Sequence, residues 1–458
     1  MKKQKVSRRS LLLGGASLAA SSLFGRSWAK RPNIILILTD DQARWACGAY
    51  GNQDIHTPNM DFLAENGALV EHCFVPTPVC SPSRASLLLS TYAQRHGIYE
   101  WISPRERIGI RHGERTFVQI LQLYGYRTGL FGKWHLGNLP RHDPHHFGFD
   151  YFFGFPGGGN RPRDPTLWRN GRKEKWRGFL TDILFAEAMS FISNASEPFF
   201  CFISTRAPHL PCVPVPPEDM APYQRKRLKV PEVPGIKRQR LERLYREYYA
   251  STTGVDRNLG RLLSFLRKRR LLERTFIVFL GDNGFMIGQH GLHTKGNAFV
   301  LGKRQRRPNM FDHSLLVPLL LYWPAEIRPG TRIQGLVSTL DLYPTILEAA
   351  GLAPPPWRLV EGKSLWPVIR GEKTKLRDKI FGVYDMHHGA RAKMRMIRTE
   401  EWKLVKWLSG PGSDELYHLK SDPEEKENLS GSAPEKILTE LTSELRNWCR
   451  EQGEKPNF

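Results

Sequence analysis

The chain of 458 residues is poor in cysteine and has no zinc-finger spacing, phosphate-binding loop or long apolar run past its N-terminal segment. Its six cysteines, at positions 47, 73, 80, 201, 212 and 449, are too few and too scattered for a disulfide-rich scaffold. Spacing alone suggests one pairing, Cys201 with Cys212, in an oxidising compartment. Because no later run is long enough to cross a bilayer, we expect a soluble mature chain with no membrane span.

Acidic residues are also scarce relative to basic ones. The chain has 68 Lys and Arg against 45 Asp and Glu, for a formal net charge of +23, and six of the basic residues precede Lys30. Such a surplus favours an anionic partner, such as nucleic acid, an anionic membrane surface or a sulfated polysaccharide. Since no short nucleic-acid-binding signature accompanies it, we expect no nucleic-acid partner. The charge therefore indicates the sign of the substrate and not its identity.

The first 29 residues have the composition of an export signal. A basic stretch precedes the apolar residues 11–16, and small residues stand near Ala29, where cleavage is expected. The pair Arg8-Arg9 is typical of a twin-arginine signal, which implies export of a folded protein to the periplasm or beyond. The alternative is a basic amphipathic anchor that stays attached.

Residues 79–89 predict a helix that starts beside a cysteine. Ser81 is suited to the N-cap position and Pro82 to the first turn. Cys80 would then lie just ahead of the helix, with Arg84 one turn along. Unpaired N–H groups, the helix dipole and a guanidinium would converge there, which predicts an anion site. The alternative is a buried structural cysteine.

Two adjacent carboxylates follow the first apolar run. Residues 33–38 read as a parallel strand buried on both faces, and Asp40 and Asp41 come at its carboxyl end. Neighbouring carboxylates repel each other and are costly unless they are paired or bound to a metal. A pair of solvated loop aspartates is the alternative interpretation.

Three further apolar runs end in the same way. Polar or charged side chains follow the runs at 126–131, 198–204 and 275–280: Lys133 and His135, then His209, then Asp282 and Asn283 with His290, His293 and Lys295 beyond. Ligands of open α/β sheets lie outside the carboxyl ends of the strands. The four runs together therefore predict one site at one edge of one sheet.

Helical patterns at 116–123, 181–193 and 237–270 alternate with these strands, which predicts an α/β fold with a mostly parallel central sheet flanked by helices. The proline-rich stretch 208–234 is expected at a cleft rim, and His142, His145 and His146 at the surface. After residues 354–356 the pattern changes to short strands and a helix at 433–450. We therefore predict a catalytic domain at 30–375 and a smaller α+β domain at 376–458.

The collected motifs resemble the formylglycine-dependent sulfatase family of the alkaline phosphatase superfamily. The segment 80–84, Cys-Ser-Pro-Ser-Arg, matches the Cys-x-Pro-x-Arg core that directs conversion of the cysteine to formylglycine. Asp40-Asp41, the segments 132–137 and 282–284, and the tail segments 399–403 and 415–417 also look like family features. The resemblance covers nearly the whole mature chain and implies an alkaline-phosphatase-like fold.

The resemblance implies a metal site. Asp40, Asp41, Asp282 and Asn283, with formylglycine at position 80, would bind one divalent cation. These are hard oxygen ligands in an irregular cage, which suits Ca2+, with Mg2+ as the alternative. The cation would polarise the sulfate oxygens.

The resemblance also implies catalytic roles. Hydrated formylglycine would attack sulfur with one hydroxyl, and its second hydroxyl would later expel sulfate. Arg84 would steady the formylglycine, while Lys133, His209 and Lys295 would neutralise developing charge. His135 is the candidate base for the second hydroxyl. Either His209 or Lys295 would protonate the leaving alcohol.

A basic insertion, residues 297–307, leaves two candidates for the second lysine. Lys295 is favoured over Lys303 because its Lys-Gly-Asn setting follows His290 and His293 closely. The insertion either lines the substrate cleft with positive charge or is a solvated loop.

The sequence therefore predicts an exported sulfatase. As its substrate, we favour a sulfated carbohydrate over a small aryl sulfate. Its maturation would need a formylglycine-generating enzyme. The alternatives are a phosphomonoester or phosphonate hydrolase of the same superfamily, and a non-catalytic protein that binds sulfated glycans and keeps Cys80 as a thiol. The sequence carries no indication of the oligomeric state.

Overall fold

The structure is a computed structural model that describes residues 31–458. The export signal predicted at residues 1–29 lies outside the described residues. Within residues 31–458, none of the helices combines the length and the apolar character needed to cross a membrane.

The described residues form nineteen strands. In chain order they are β1 (Asn33–Asp40), β2 (Ala68–Phe74), β3 (Arg127–Lys133), β4 (Tyr151–Phe155), β5 (Thr166–Arg169), β6 (Arg172–Lys175), β7 (Phe199–Pro208), β8 (Thr275–Gly281), β9 (Met286–Ile287), β10 (Leu292–Thr294), β11 (Asn297–Val300), β12 (Arg306–Pro308), β13 (Leu316–Val317), β14 (Leu319–Tyr322), β15 (Thr331–Ser338), β16 (Lys379–Met386), β17 (Ala392–Thr399), β18 (Trp402–Ser409) and β19 (Glu415–His418).

The same part of the chain forms eleven α-helices. They are α1 (Pro58–Asn66), α2 (Cys80–Leu89), α3 (Ala93–His96), α4 (Phe117–Leu123), α5 (Leu180–Asn194), α6 (Pro217–Met220), α7 (Arg238–Lys268), α8 (Asp312–Leu315), α9 (Leu342–Ala349), α10 (Trp366–Ile369) and α11 (Glu435–Glu451).

The main sheet has eleven strands with β1 near its middle. Strands β8, β1, β7, β3 and β4 are neighbours in that order and all run parallel. Ile34 of β1 lies opposite Phe200 on one side and Phe276 on the other. β14 joins β8 antiparallel, and β2 continues the sheet beyond it. The predicted α/β fold with a mostly parallel sheet is confirmed.

Helices cover both faces of the sheet. Successive residues of β1 point to opposite faces, so the strand contributes apolar side chains to two separate cores. Ile34 and Leu36 pack into a core that includes α2, α4 and α9. Ile35 and Ile37 pack into a second core that includes α1, α5 and α7. An apolar run of this kind is explained by burial on both faces.

Two four-stranded antiparallel sheets accompany the main sheet, one of β9 to β12 and one of β16 to β19. The second of these, the C-terminal sheet, is a meander. Its helix, α11, places Leu441 and Leu445 against Ile397 and Leu404 of the sheet. The sequence predicted β17, β18, β19 and the helix but missed β16. The first strand of this sheet begins at Lys379, and the boundary at residue 375 remains a prediction.

Two expectations were wrong. Cys201 and Cys212 are both free, as are the other four cysteines, all of which lie in the described residues. Cys201 is instead a core residue of β7, and the Cys212 thiol donates to the carbonyl of Pro208 at 3.2 Å. His142 is buried, with only His146 exposed and His145 half-buried, because the His142 ring packs against Gly109 and Gly137.

Candidate active site

The carboxyl ends of four parallel strands meet at one edge of the main sheet, as the sequence predicted. β1 ends at Asp40, β3 ends at Lys133, and Asp282 follows β8 directly. The proline-rich stretch begins where β7 ends, and its His209 and Leu210 line the same cleft as Cys80. The chain therefore collects side chains from distant parts of the sequence around one point.

Cys80 is the first residue of α2, and its side chain is 3% exposed. The predicted cap at Ser81 was wrong: Val79 holds the N-cap position, because its carbonyl accepts the Ser83 N–H at 3.2 Å. The Ser81 hydroxyl accepts the Ile102 N–H instead, at 3.0 Å. The thiol consequently lies in the first turn of the helix, close to its positive end.

Arg84 points into the site, and two of its three guanidinium nitrogens, Nε and Nη1, are hydrogen-bonded. Its Nε donates to Asp282 Oδ2 at 2.8 Å, and its Nη1 donates to the Ser204 hydroxyl at 2.7 Å. The Ser204 hydroxyl donates in turn to the carbonyl of Lys133. Nη2 is buried without a partner among the described residues and is free for a ligand.

Lys133 forms a buried ion pair with Asp40. The two side chains are 0% exposed, and Nζ lies 2.7 Å from Oδ2. Burial alone would raise the pKa of Asp40, but the charges of Lys133, His209, Lys295 and Arg84 together outweigh it and hold that pKa well below its ordinary value. Asp40 is therefore a carboxylate, as a metal ligand must be.

Asp41 is hydrogen-bonded to Asp282, Asn283 and Tyr248, and also to Lys295. Its backbone N–H donates to Asp282 Oδ1 at 2.9 Å, and the Asn283 amide donates to its Oδ1 at 2.7 Å. The Tyr248 hydroxyl donates to its carbonyl at 2.6 Å. Its φ of 64° lies in the left-handed region, which a non-glycine residue rarely adopts. Strain of this kind persists only where the surroundings fix it, and it clusters at functional sites.

Lys295 lies between Asp41 and Cys80. Its Nζ is hydrogen-bonded to Asp41 Oδ1 and lies 3.3 Å from Cys80 Sγ. Burial alone would lower the pKa of Lys295, but the negative charges around it, that of Asp41 foremost, together raise the pKa well above its ordinary value. Lys295 is thus a fixed positive charge beside position 80. Lys303, the other candidate, is exposed.

Two histidines present one free ring nitrogen each. His135 Nε2 donates to the carbonyl of Ile102 at 3.0 Å, so its Nδ1, buried without a partner, carries the lone pair. Burial lowers the pKa of His135 well below its ordinary value, aided by the charge of Lys133. His209 Nδ1 donates to the carbonyl of Leu210 at 2.7 Å, and its Nε2 is 3.7 Å from Asp41 Oδ2. Both rings are fixed in orientation.

The structure also tests whether a cation fits. Asp40 Oδ1 and Asn283 Oδ1 are buried with no hydrogen-bond partner among the described residues. Ligand atoms of Asp40, Cys80 and Asp282 lie within 4.8 Å of one another. Burial and the charge of Asp40 raise the pKa of Asp282 to about 6 even though Arg84, Lys133 and Lys295 oppose the shift. These oxygen donors suit a hard divalent cation.

The cleft above Cys80 has a volume of about 390 Å³. Its walls include Trp101, Ile102, Phe299 and Arg306. The basic insertion is therefore partly a cleft lining and partly a solvated loop. Its strands β11 and β12 line the cleft with Phe299 and Arg306, while its tip, with Lys303, is exposed. Arg306 lies 4.0 Å from the centre of the Phe299 ring.

His290 and His293, which follow the strand end as predicted, stay outside this group. His290 stacks on Phe311 with the ring centres 3.7 Å apart, and His293 pairs with Ile287 across β9 and β10. Sequence reasoning missed Ser204, Tyr248 and Trp101. No motif contains them, and their roles depend on which elements pack together.

Two family models cover the described residues. The model described as Sulfatase matches residues 32–352. The model described as N-sulphoglucosamine sulphohydrolase, C-terminal, matches residues 303–451.

Two curated relatives illustrate the similarity in sequence. An N-acetylglucosamine-6-O-sulfatase of Bacteroides thetaiotaomicron is 27% identical, with 95% of this chain and 90% of the relative covered. An N-acetylgalactosamine-6-sulfatase of Canis lupus familiaris is 31% identical, with 77% of this chain and 69% of the relative covered.

Solved structures agree in fold. One, described as a complex with its substrate D-glucosamine-2-N,6-O-disulfate, has a TM-score of 0.78 at 25% identity and covers 93% of this chain and 98% of its own. Another, of Ps i-CgsB in complex with k-i-k-neocarrahexaose, has a TM-score of 0.77 at 28% identity, covering 93% and 94%.

Proposed function

This chain belongs to the sulfatase family of the alkaline phosphatase superfamily and is a sulfuric ester hydrolase, and we propose that it removes sulfate from a carbohydrate with position 80 as the nucleophile. One observation carries the proposal. Cys80 lies at the base of an open cleft, with Lys295 Nζ 3.3 Å from its sulfur and with Asp40 and Asp282 close by.

The unmodified thiol is poorly suited to attack. Burial raises the pKa of Cys80 despite the opposing charges of Lys133 and Lys295, so the reactive thiolate is suppressed. Formylglycine at this position, once hydrated, supplies a hydroxyl nucleophile and a second hydroxyl for release of sulfate. This supports the proposal that Cys80 is converted to formylglycine by a generating enzyme before the protein works.

The cationic side chains take up the negative charge of the transferring group. Arg84 Nη2, which has no partner among the described residues, and Lys295 Nζ both face the region around position 80. Lys133 is fully buried and paired with Asp40, and its charge also acts on position 80. Because their partners already fix them, these groups need little reorganisation as charge develops, which is the basis of electrostatic catalysis.

The histidines move protons. The free Nδ1 of His135 is placed to accept the proton from the second hydroxyl at position 80. His209 Nε2 has no closer partner than Asp41 Oδ2 at 3.7 Å. Because its Nδ1 hydrogen is held by the Leu210 carbonyl, His209 donates from Nε2 only as the imidazolium; burial lowers its pKa, while the Asp40 and Asp41 carboxylates oppose that shift. In that form it would donate a proton to the leaving alcohol. Lys295 is the less suitable donor, since Asp41 holds its proton firmly.

We propose that Asp40, Asp41, Asp282 and Asn283 hold one divalent cation, and that it is Ca2+. The unpartnered oxygens of Asp40 and Asn283 support this assignment. Bound there, the cation supplies positive charge to the sulfate oxygens. The irregular set of carboxylate and amide ligands favours Ca2+ over Mg2+, which demands near-ideal octahedral geometry and retains waters.

The proposed substrate is a 6-O-sulfated N-acetylhexosamine unit. Two relatives are named for 6-sulfate removal from such sugars. A sulfate on the exocyclic C6 can reach the base of the cleft while the sugar ring stays near its mouth, beside Trp101 and Phe299. Rates on the 6-sulfate and the 3-sulfate of N-acetylglucosamine test this. We expect at least tenfold faster hydrolysis of the 6-sulfate, and equal rates would contradict it.

Two measurements test the chemistry. Mass spectrometry of the peptide that contains residue 80, from protein made in a host with the generating enzyme, should show formylglycine and not a thiol. Rates on a sulfate and a phosphate ester of one alcohol then separate a sulfatase from a phosphomonoester hydrolase. An unmodified thiol in active protein, or faster phosphate turnover, would refute the proposal.

We also propose export through the twin-arginine route. The support is the pattern of residues 1–29. N-terminal sequencing of the protein recovered from outside the cytoplasm should begin near Lys30. A mature protein that retains Arg8 and Arg9 would contradict cleavage.

A further inference from the structure

A second group of metal-ligating side chains lies beside Trp101 of the cleft wall, apart from the carboxylates around Cys80. Glu106 comes from the loop that carries Trp101, and His387 and His388 follow the end of β16. One ligand atom from each of the three lies within 4.8 Å of the others. Residues almost 300 positions apart in the chain thus meet at this point, which joins the C-terminal sheet to the wall of the cleft.

The distances suit a tetrahedral metal ion. His387 Nε2 is 3.4 Å and His388 Nε2 is 3.5 Å from the same oxygen, Glu106 Oε1. Bonds of about 2.0–2.2 Å from Zn2+ to imidazole nitrogen and carboxylate oxygen, at the tetrahedral angle, place two ligand atoms about 3.4 Å apart. The distances from Glu106 Oε1 to the two Nε2 atoms therefore match the spacing between two ligands of a tetrahedral Zn2+ ion.

The ligand atoms are also oriented. The Ser103 N–H donates to Glu106 Oε2 at 2.6 Å, which turns Oε1 toward the two imidazoles. The backbone N–H of His387 donates to Glu100 Oε2 at 3.3 Å and anchors the turn. Contacts of this kind raise metal affinity because they fix ligands before the ion arrives.

The two histidines are neighbours in the chain, yet both rings face the same carboxylate. In a strand they would point to opposite sides. Here they follow Met386 in the turn after β16, and their ring centres are 4.2 Å apart. Two rings held this close would repel each other if both carried a proton charge, whereas a shared cation between neutral imidazoles stabilises the arrangement.

We propose that Glu106, His387 and His388 bind Zn2+, with a fourth position left for water or substrate. Two imidazoles and one carboxylate prefer such a borderline ion over Ca2+ or Mg2+. The ring of His388 lies 4.3 Å from that of Trp101, which lines the cleft. A bound ion therefore fixes Trp101 and links the C-terminal sheet to the substrate wall.

The test measures metal binding by the full mature chain. The parent protein carries Cys80→Ala, which removes the active-site thiol, and excess Ca2+ is present to occupy the carboxylate site. Calorimetric titration with Zn2+ should show one site per chain. Co2+ at that site should give the strong visible bands of a tetrahedral ion, and Zn2+ should abolish them. The double variant H387Q/H388Q, and separately Glu106→Gln, should bind Zn2+ at least tenfold more weakly.

His418→Gln is the matched control. His418 Nε2 lies 3.1 Å from Glu401 Oε1, so it is also a histidine beside a carboxylate, but Glu401 has no second imidazole. This variant should keep wild-type Zn2+ affinity. The proposal is overturned if the parent binds no Zn2+ under excess Ca2+, or if the double variant and Glu106→Gln both bind it as tightly as the parent. Neither result depends on turnover.

Discussion

At the scale of single residues, function depends on how each buried polar group is paired. Lys295 and Lys303 lie only eight residues apart in the chain, but one is buried between Asp41 and Cys80 and the other is exposed. The sequence could favour Lys295 from its neighbours. It could not show the contact with Asp41, because that contact requires the hairpin of β10 and β11 to fold over the end of β1.

Lys295→Ala should lower kcat/KM for the sulfate ester by roughly 10²–10³-fold, the usual cost of removing one preorganised group that stabilises transition-state charge. Lys303→Ala should stay within about twofold of the parent, since its side chain is exposed. Steady-state kinetics of the two variants on one substrate provide the comparison. Equal losses would show that the second lysine was assigned wrongly.

His96 carries a pH-dependent part of the stability. Its Nδ1 accepts the Ile98 N–H at 3.1 Å, so its Nε2 carries the hydrogen and donates to the Ser86 hydroxyl at 3.1 Å. Burial lowers the pKa of His96 from 6.5 to about 3. Between pH 6.5 and about pH 3, His96 is protonated in the unfolded chain and neutral in the folded chain. The free energy of unfolding therefore decreases as the pH falls below 6.5.

The difference in unfolding free energy between the parent and His96→Gln should therefore shrink as the pH falls from about 7 to about 5, by up to about 1.4 kcal/mol per pH unit. Urea unfolding of both proteins at several pH values measures it. Taking the difference removes the contributions of the other titrating groups. A difference that does not vary with pH would contradict the neutral state of His96.

At the scale of elements, the sequence predicted the four strand ends well because a strand buried on both faces is apolar throughout and then stops abruptly at polar residues. It placed the start of α2 wrongly, because Ser81 has a tertiary partner, the Ile102 N–H, that competes with the cap. The glycine stretch 157–159 is not a phosphate-binding loop, because no Gly-Lys-Ser/Thr follows it. The structure shows instead that Gly158 touches the ring of His135.

Gly158→Ala should lower kcat/KM at least tenfold with little loss of stability. A Cβ at this position would lie 2.6 Å from His135 Cε1, so the ring must move and its Nδ1 with it. At Gly157 a Cβ meets nothing within 4 Å, so Gly157→Ala is the matched control and should be near wild type. Kinetics and melting temperature of both variants test this. An active Gly158→Ala protein would show that the position of His135 is unimportant.

At the scale of the whole molecule, a buried ion cluster joins the C-terminal sheet to the main one. Lys403 of β18 donates to Asp312 Oδ1 at 2.8 Å and to Glu425 Oε1 at 2.6 Å, and Arg398 of β17 lies 3.1 Å from Asp312. The sequence predicted a second unit but not this cluster, since its members have no common motif. Charged groups so deeply buried tolerate the loss of a partner poorly.

Lys403→Met should destabilise the protein by roughly 3 kcal/mol, because it leaves two buried carboxylates without their ammonium partner. Lys379→Met should cost about 1 kcal/mol or less, since the Lys379 side chain is 38% exposed where that of Lys403 is 0% exposed. Denaturant unfolding measures both. A similar small cost for the two variants would contradict the role of the cluster.

Removal of the proposed Ca2+ should affect activity and stability together. Chelation with EGTA should abolish turnover and lower the melting temperature, because the buried carboxylates of Asp40, Asp41 and Asp282 would lose the positive charge of the cation and its binding free energy. Excess Ca2+ should restore both. Asp40→Asn should lose the response of the melting temperature to Ca2+. Full activity after complete chelation would contradict a catalytic cation.

The central position of β1 has a consequence for the order of events during synthesis. β1 is made first among the strands, but its two partners, β7 and β8, follow about 165 and 240 residues later. Until residue 281 leaves the ribosome, the middle of the sheet cannot close, and long-range pairing of this kind is slow. The segment around Cys80 remains accessible throughout that interval and is buried afterwards. The conversion that we propose for Cys80 would therefore act on the nascent chain, and a copy that folded before conversion would keep its thiol.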